Sequence, residues 1–205
     1  MLIIFDLRVF YRTITQGMFH CHRCGGDRPY RQRAGRRWFT LFFLPVIPLN
    51  SAGEHVQCAT CCTRYVTDVL SLPTTARMQA ALPAGMRAAA SVMLRSDEPL
   101  SSIARQRAIE AVVAAGMPGY NETMLNGDLT LPSAAIRPAL NEVGAQLAIQ
   151  AREWYLAEVI RIAMADGTLT EGERHAALAI GVDLGMTQAQ VVGVVAMTEQ
   201  SAGRD

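Results

Sequence analysis

Cys21-His22-Arg23-Cys24 and Cys58-Ala59-Thr60-Cys61 are the residues of this chain whose types and spacing point most directly to chemistry. A C-x-x-C turn folds two sulfurs to one side. Two such turns facing each other complete a tetrahedron of thiolates, the arrangement of a closed four-cysteine metal site. With every position filled by protein, none is left for a catalytic water, so the predicted role is structural. Four thiolates held between strands suit zinc, and iron is the other metal that such sets bind. A redox-active C-x-x-C would need a βαβ setting, which the flanking residues do not offer. Gly25 follows the first pair, at a place where the turn often needs a positive φ. Cys62 stands at that place after the second pair and is read as a bystander thiol. His20, His22 and His55 lie close enough in sequence to replace a cysteine; with four thiolates present they are read as neighbours.

The segments around these cysteines must be extended to bring the two pairs together. Residues 1–15 are rich in β-branched and aromatic types, which suits a strand ending before a turn at Gly17. Asp27–Arg33 reads as a strand with charge on one face, and Ala34-Gly35 as a turn. Trp38–Leu44 reads as a buried strand stopped by Pro45, with Ser51-Ala52-Gly53 turning the chain back toward Cys58. Thr63–Thr67 leaves the second pair as a strand. About sixty residues bury little core, so bound metal should supply much of the folding free energy, on the order of 10 kcal/mol for structural zinc.

Phe19–Gly25, followed by Arg36–Leu49 with its aromatic run and two prolines, resembles a bacterial zinc-ribbon family over roughly residues 1–67. That resemblance implies a small antiparallel β domain with one structural Zn2+ on Cys21, Cys24, Cys58 and Cys61.

The remaining chain has a helical texture. Residues 68–99 read as a connector with helical segments, one of them ending near Leu82 and the next opening at Pro83. Helices are predicted over 101–115, 120–125, 132–150, 151–165, 170–184 and 187–200. Thr170-x-x-Glu173 and Thr187-x-x-Gln190 have capping-box form. Asn126–Thr130 aligns with Asp166–Thr170 at a shift of 40 residues, which predicts a duplicated helix–turn–helix unit. Ile160–Glu173, with its Ala165-Asp166-Gly167 turn, resembles TerB-like domains of the tellurite-resistance type. The resemblance implies an all-α domain over 100–205, a link to stress response, and acidic ligands for a second divalent cation at Asp166 and Glu173. The first repeat copy departs from the pattern, with Asn126 and Ser133 at the acidic positions. Glu173 also has a plainer role at the third position of a capping box.

The chain has 205 residues, half of them apolar, and all 19 of its basic residues are arginine. Residues 1–64 carry nine arginines against three acids, net +6, and residues 65–205 carry ten against fifteen, net −5. Such asymmetry suggests two modules with different surfaces. Arg28, Arg31, Arg33, Arg36 and Arg37, beside Trp38 and Phe39, form a candidate surface for nucleic acid or for a protein partner. Five cysteines clustered in pairs and no transmembrane segment predict a soluble, cytoplasmic protein. No nucleophile elbow, phosphate loop or dinucleotide fingerprint is present, which argues against an enzyme. The expected protein is therefore multidomain: a small antiparallel zinc ribbon (1–67), a connector (68–99) and an all-α TerB-like bundle (100–205). Its expected function is that of a non-enzymatic metal-binding adaptor acting through a protein partner, with nucleic-acid binding as the alternative.

Overall fold

The computed structural model describes residues 5–41, 44–96 and 101–202. The chain divides into two compact units between Arg77 and Met78. The sequence had suggested boundaries near 67 and 99.

The first unit is a four-stranded antiparallel sheet in the order β1-β2-β3-β4, with β1 Phe5–Cys21, β2 Gly26–Leu41, β3 Leu44–Cys58 and β4 Arg64–Tyr65. A short 3-10 helix, Thr67–Ser71, follows in place of the end of the predicted Thr63–Thr67 strand. The strands are far longer than local turn signals imply. Gly17 pairs with Tyr30 inside β1, and Ala34-Gly35 pairs with both Arg12-Tyr11 and Glu54-Gly53 inside the sheet. Gly35 is needed for close approach: a Cβ there would meet Tyr11 Cε1 at 2.8 Å. Ser51–Gly53 is a register shift within β3. Pro45 does not stop a strand either: β2 ends at Leu41, and Pro45 and Pro48 sit along β3 opposite Thr40 and Trp38. Beyond its short pairing with β4 at Val56-Gln57, β3 is an edge, where a residue without an N–H is tolerated.

The core of this unit is small and sits at one end of the sheet: Phe19, Cys21, Val56, Cys58 and Val69, with Tyr30 and Tyr65 packed edge-on to Phe19. The other end is a three-stranded arm with much of its apolar surface exposed among the described residues. Leu7, Leu44, Val46 and Ile47 are all more than half exposed. The expectation that Trp38–Leu44 is a buried strand is corrected here: Trp38 and Phe39 are half-buried and Leu44 is 69% exposed. Phe42 and Phe43, in that same run, lie outside the described residues.

The second unit is helical. Its helices are α1 Thr75–Leu94 (whose first turn belongs to the first unit), α2 Ser102–Ala114, α3 Glu122–Leu129, α4 Ser133–Gln146, α5 Ile149–Ala163, α6 Glu171–Asp183 and α7 Gln188–Ala202. One apolar core runs through all seven, with Met93, Val112, Leu125, Leu140, Leu156, Ile160 and Ile180 almost wholly buried. Pro83 lies inside α1 and does not divide it. The helix buries residues on both sides of Pro83, from Ala81 to Leu94, and that packing outweighs the lost backbone hydrogen bond. Both expected capping boxes are formed: Thr170 N–H donates to Glu173 Oε2 at 2.8 Å and Thr187 N–H to Gln190 Oε1 at 2.9 Å. The expected repeat is not structural. Asn126–Leu129 is the last turn of α3, whereas Asp166–Leu169 lies outside any helix.

Candidate metal centre

The turn between β1 and β2 is the first knuckle, and the turn after β3 is the second. In the first, Cys24 and Gly25 N–H groups both donate to the Cys21 carbonyl, at 3.1 and 2.9 Å. In the second, Cys62 N–H donates to the Cys58 carbonyl at 3.1 Å. Gly25 has φ +66° and Cys62 has φ +58°. Cys62 therefore occupies the glycine position of its knuckle in fact as well as in sequence. It is the one non-glycine among the described residues with positive φ, and its side chain is exposed.

These turns bring Cys21, Cys24, Cys58 and Cys61 together, with all four sulfurs within 4.8 Å of one another. Zn–S bonds of about 2.3 Å at tetrahedral angles place sulfurs about 3.8 Å apart. Cys21 Sγ and Cys61 Sγ are 3.7 Å apart, so the cluster already has the dimensions of a tetrathiolate metal site. Cys21 and Cys58 are fully buried, and Cys24 and Cys61 half-buried. Among the described residues this is the one group of three or more cysteine, histidine or acidic side chains close enough to hold a metal ion.

The thiols are electrostatically unequal. Burial and hydrogen bonding to Cys61 push the Cys24 thiol up to about 12, while hydrogen bonds from the Thr63 side chain and backbone hold Cys61 down to about 6. Burial would raise Cys21, but hydrogen bonds from the Tyr65 hydroxyl at 3.2 Å, the Cys24 backbone and the neighbouring thiols together outweigh it and hold Cys21 below the usual thiol value. Neighbouring thiols compete because each thiolate disfavours the next. A bound divalent cation removes that conflict and lets all four ionise.

The surroundings contain residues that the spacing of the cysteines did not reveal. Tyr65 Oη accepts the Arg23 N–H at 3.4 Å while contacting Cys21, and Thr63 Oγ1 lies 3.3 Å from Cys61 Sγ. These orient the sulfurs as outer partners of a metal site do. A strand-forming aromatic four residues after Cys61 was the available signal. The histidines are elsewhere: His20 Nδ1 is 3.1 Å from Thr75 Oγ1, His22 packs edge-on to His20, and His55 packs against Tyr11. Asp27, beside the first knuckle, accepts the Thr75 and Ala76 N–H groups at 2.9 Å each and so caps α1. Those two N–H groups hold its carboxyl below the usual range.

The other candidate residues are dispersed. Along β2 the side chains alternate, so Arg31, Arg33 and Arg37 share one face with Phe39, while Arg28 and Arg36 share the other with Trp38. Arg36 Nε donates to the Leu49 carbonyl at 3.4 Å, beside a concavity of about 620 Å³ lined by Phe10, Arg12, Trp38 and Ser51. Asp166 is exposed. Glu173 is buried with its carboxylate accepting both the N–H and hydroxyl of Thr170, so the structure assigns it to the cap.

The helical unit contains a polar cluster that sequence reasoning missed. Asp128, almost fully buried, accepts two hydrogen bonds from Arg87 at 2.8 and 2.6 Å and one from the Tyr120 hydroxyl at 2.7 Å. These residues lie on α1, before α3 and within α3, so no local motif announces them.

No family model, curated protein or solved structure matches the chain. No helix among the described residues is long and apolar enough to cross a membrane.

Proposed function

We propose that this protein is a non-enzymatic adaptor in which one structural zinc holds the β unit so that its long arm is available to a partner. The observation that carries this is the closed set of four sulfurs within 4.8 Å beneath an arm with exposed apolar surface. Four protein ligands leave a zinc ion no position for substrate or activated water. The chemistry is therefore that of folding and presentation. The reading of the helical unit as TerB-like, and with it a role in stress response, belongs to the same proposal. Its support is the Ala165-Asp166-Gly167 turn leading into the Thr170–Glu173 box. A second divalent cation is not part of it, because the Glu173 carboxylate is engaged by Thr170. Nucleic-acid binding is the alternative, favoured by Arg12 and Arg36 flanking Phe10 and Trp38 around one concavity.

Affinity capture with the intact chain tests the adaptor reading. The wild type should enrich a defined set of proteins that Cys21→Ser/Cys58→Ser fails to enrich. Recovery of the same set by both would remove the zinc-held unit from the function. Filter binding to DNA and RNA tests the alternative, which requires affinity that falls steeply with salt.

A further inference from the structure

The arm is organised along its length. Its free end is apolar on all three strands: Leu7 pairs with Phe39 and Phe39 with Ile47, while Leu41 pairs with Leu44. Leu7, Leu44, Val46 and Ile47 are 64, 69, 54 and 52% exposed. Behind this end comes a band of arginines, with Arg8 and Arg12 on β1 and Arg36 and Arg37 on β2. By cross-strand pairing and alternation Arg8, Arg12 and Arg36 share the face of Trp38, and Arg37 lies on the other. The one acid in this part of the sheet, Asp6, is paired with Arg8 at 3.1 Å.

The backbone at the free end is adapted to the loss of water. Unpaired edge N–H and C=O groups are costly in an apolar medium. Pro45 and Pro48 remove two donors from the outer edge of β3. On the opposite edge strand, Leu7 N–H donates to Asp6 Oδ1 at 2.7 Å.

We infer that the arm docks tip-first on an anionic lipid bilayer, with Leu7, Leu44, Val46 and Ile47 at the acyl boundary and Arg12, Arg36 and Arg37 on lipid phosphates. This rests on the adaptor reading only in taking the arm as a working surface. The dimensions agree. Arg37 lies four residues back from Leu41, about 14 Å at about 3.4 Å per residue. A tip sunk about 5–10 Å into the interface therefore brings the arginine band to the headgroups. Charge and the apolar tip decide against the other occupants. A second copy would set the four arginines Arg8, Arg12, Arg36 and Arg37 and one acid against the same array. A nucleic acid on the arginine face would leave the apolar tip of Leu7, Leu44, Val46 and Ile47 without a partner.

The test is co-sedimentation of the intact zinc-loaded chain with vesicles of phosphatidylcholine, with and without phosphatidylglycerol. Binding should require phosphatidylglycerol and weaken as salt rises. Arg36→Gln/Arg37→Gln should weaken it roughly thirty-fold. Leu44→Ser/Ile47→Ser, at exposed positions, should weaken it at least roughly tenfold while zinc content stays unchanged. As a second readout, Trp154→Phe leaves Trp38 as the sole tryptophan. Its emission should shift to the blue on anionic vesicles and be quenched by lipids brominated near the headgroup. Absence of vesicle binding by zinc-loaded protein would overturn the proposal. So would vesicle binding that Leu44→Ser/Ile47→Ser leaves intact, which would mark general attraction to polyanions such as RNA. A tip variant that only dissociates an oligomer, with no vesicle effect, would show that the occupant is a second copy. Failure of vesicle binding leaves the partner-capture result untouched, so the two readings fail separately.

Discussion

Two buried polar centres among the described residues, one in each unit, are completed in opposite ways. Around Asp128, the protein supplies the partners: the Arg87 guanidinium neutralises the charge and Tyr120 adds a third hydrogen bond. Around Cys21, Cys24, Cys58 and Cys61, the hydroxyls of Thr63 and Tyr65 orient the thiols but bring no charge, and the four thiols cannot all ionise without an added positive one. The first centre adds specificity to a helical core already built from seven helices. The second must replace a core, because Phe19, Val56 and Val69 are the buried apolar side chains around it. One unit is stabilised by its own packing, and the other by a ligand.

The largest expected effect lies where the metal does. Chelation, or Cys21→Ser/Cys58→Ser, should unfold the β unit, with a loss on the order of 10 kcal/mol of metal-linked folding free energy. Far-UV circular dichroism should retain its helical signal, and loss of both signals together would break the distinction between the units.

The protein-completed centre should respond less. Asp128→Asn leaves Arg87 without its counter-charge. Since Arg87 is about one-third exposed, the cost should be about 2 kcal/mol, below the range for fully buried pairs, in denaturant unfolding of the helical transition. The same pair predicts a pH dependence. Burial alone would raise the Asp128 carboxyl, but Arg87 and Tyr120 outweigh it and hold it below its ordinary value. Its contribution is therefore fully present above the unfolded value of about 3.9 and is lost as pH falls through the folded value. The wild type should lose helical stability in that acid window, and Asp128→Asn should be flatter there. Tyr120→Phe should cost about 1 kcal/mol, measured in the same way, by leaving one Asp128 oxygen with one donor fewer.

The smallest effect separates the two knuckles. Cys62 holds at φ +58° the position that Gly25 holds at +66°. Cys62→Gly should stabilise the zinc-loaded β unit by about 1 kcal/mol and leave metal content unchanged. Loss of zinc in that variant would make Cys62 a ligand.

The same contrast explains what the sequence disclosed. The four cysteines were legible because a knuckle is a local device, with two ligands and their turn inside five residues. The capping boxes at Thr170 and Thr187 were legible for the same reason. Asp128 was hidden because Arg87 and Tyr120 reach it across 41 and 8 residues. Within the sheet, Gly17, Gly35 and Ser51–Gly53 carry turn chemistry, yet long cross-strand pairing keeps all of them in strands. Trp38–Leu44 read as buried because apolar alternation says which residues would welcome cover, while only the fold says whether cover exists. The arm and its exposed tip became visible through that difference.

X-ray absorption at the zinc edge of the purified protein tests the central claim most directly. One zinc per chain, surrounded by four sulfurs at about 2.3 Å and no lighter scatterer, is the predicted result. A nitrogen or oxygen neighbour in the first coordination sphere would contradict it, since the site would then be open or would recruit a histidine. Zinc retained by Cys21→Ser/Cys58→Ser would contradict it equally.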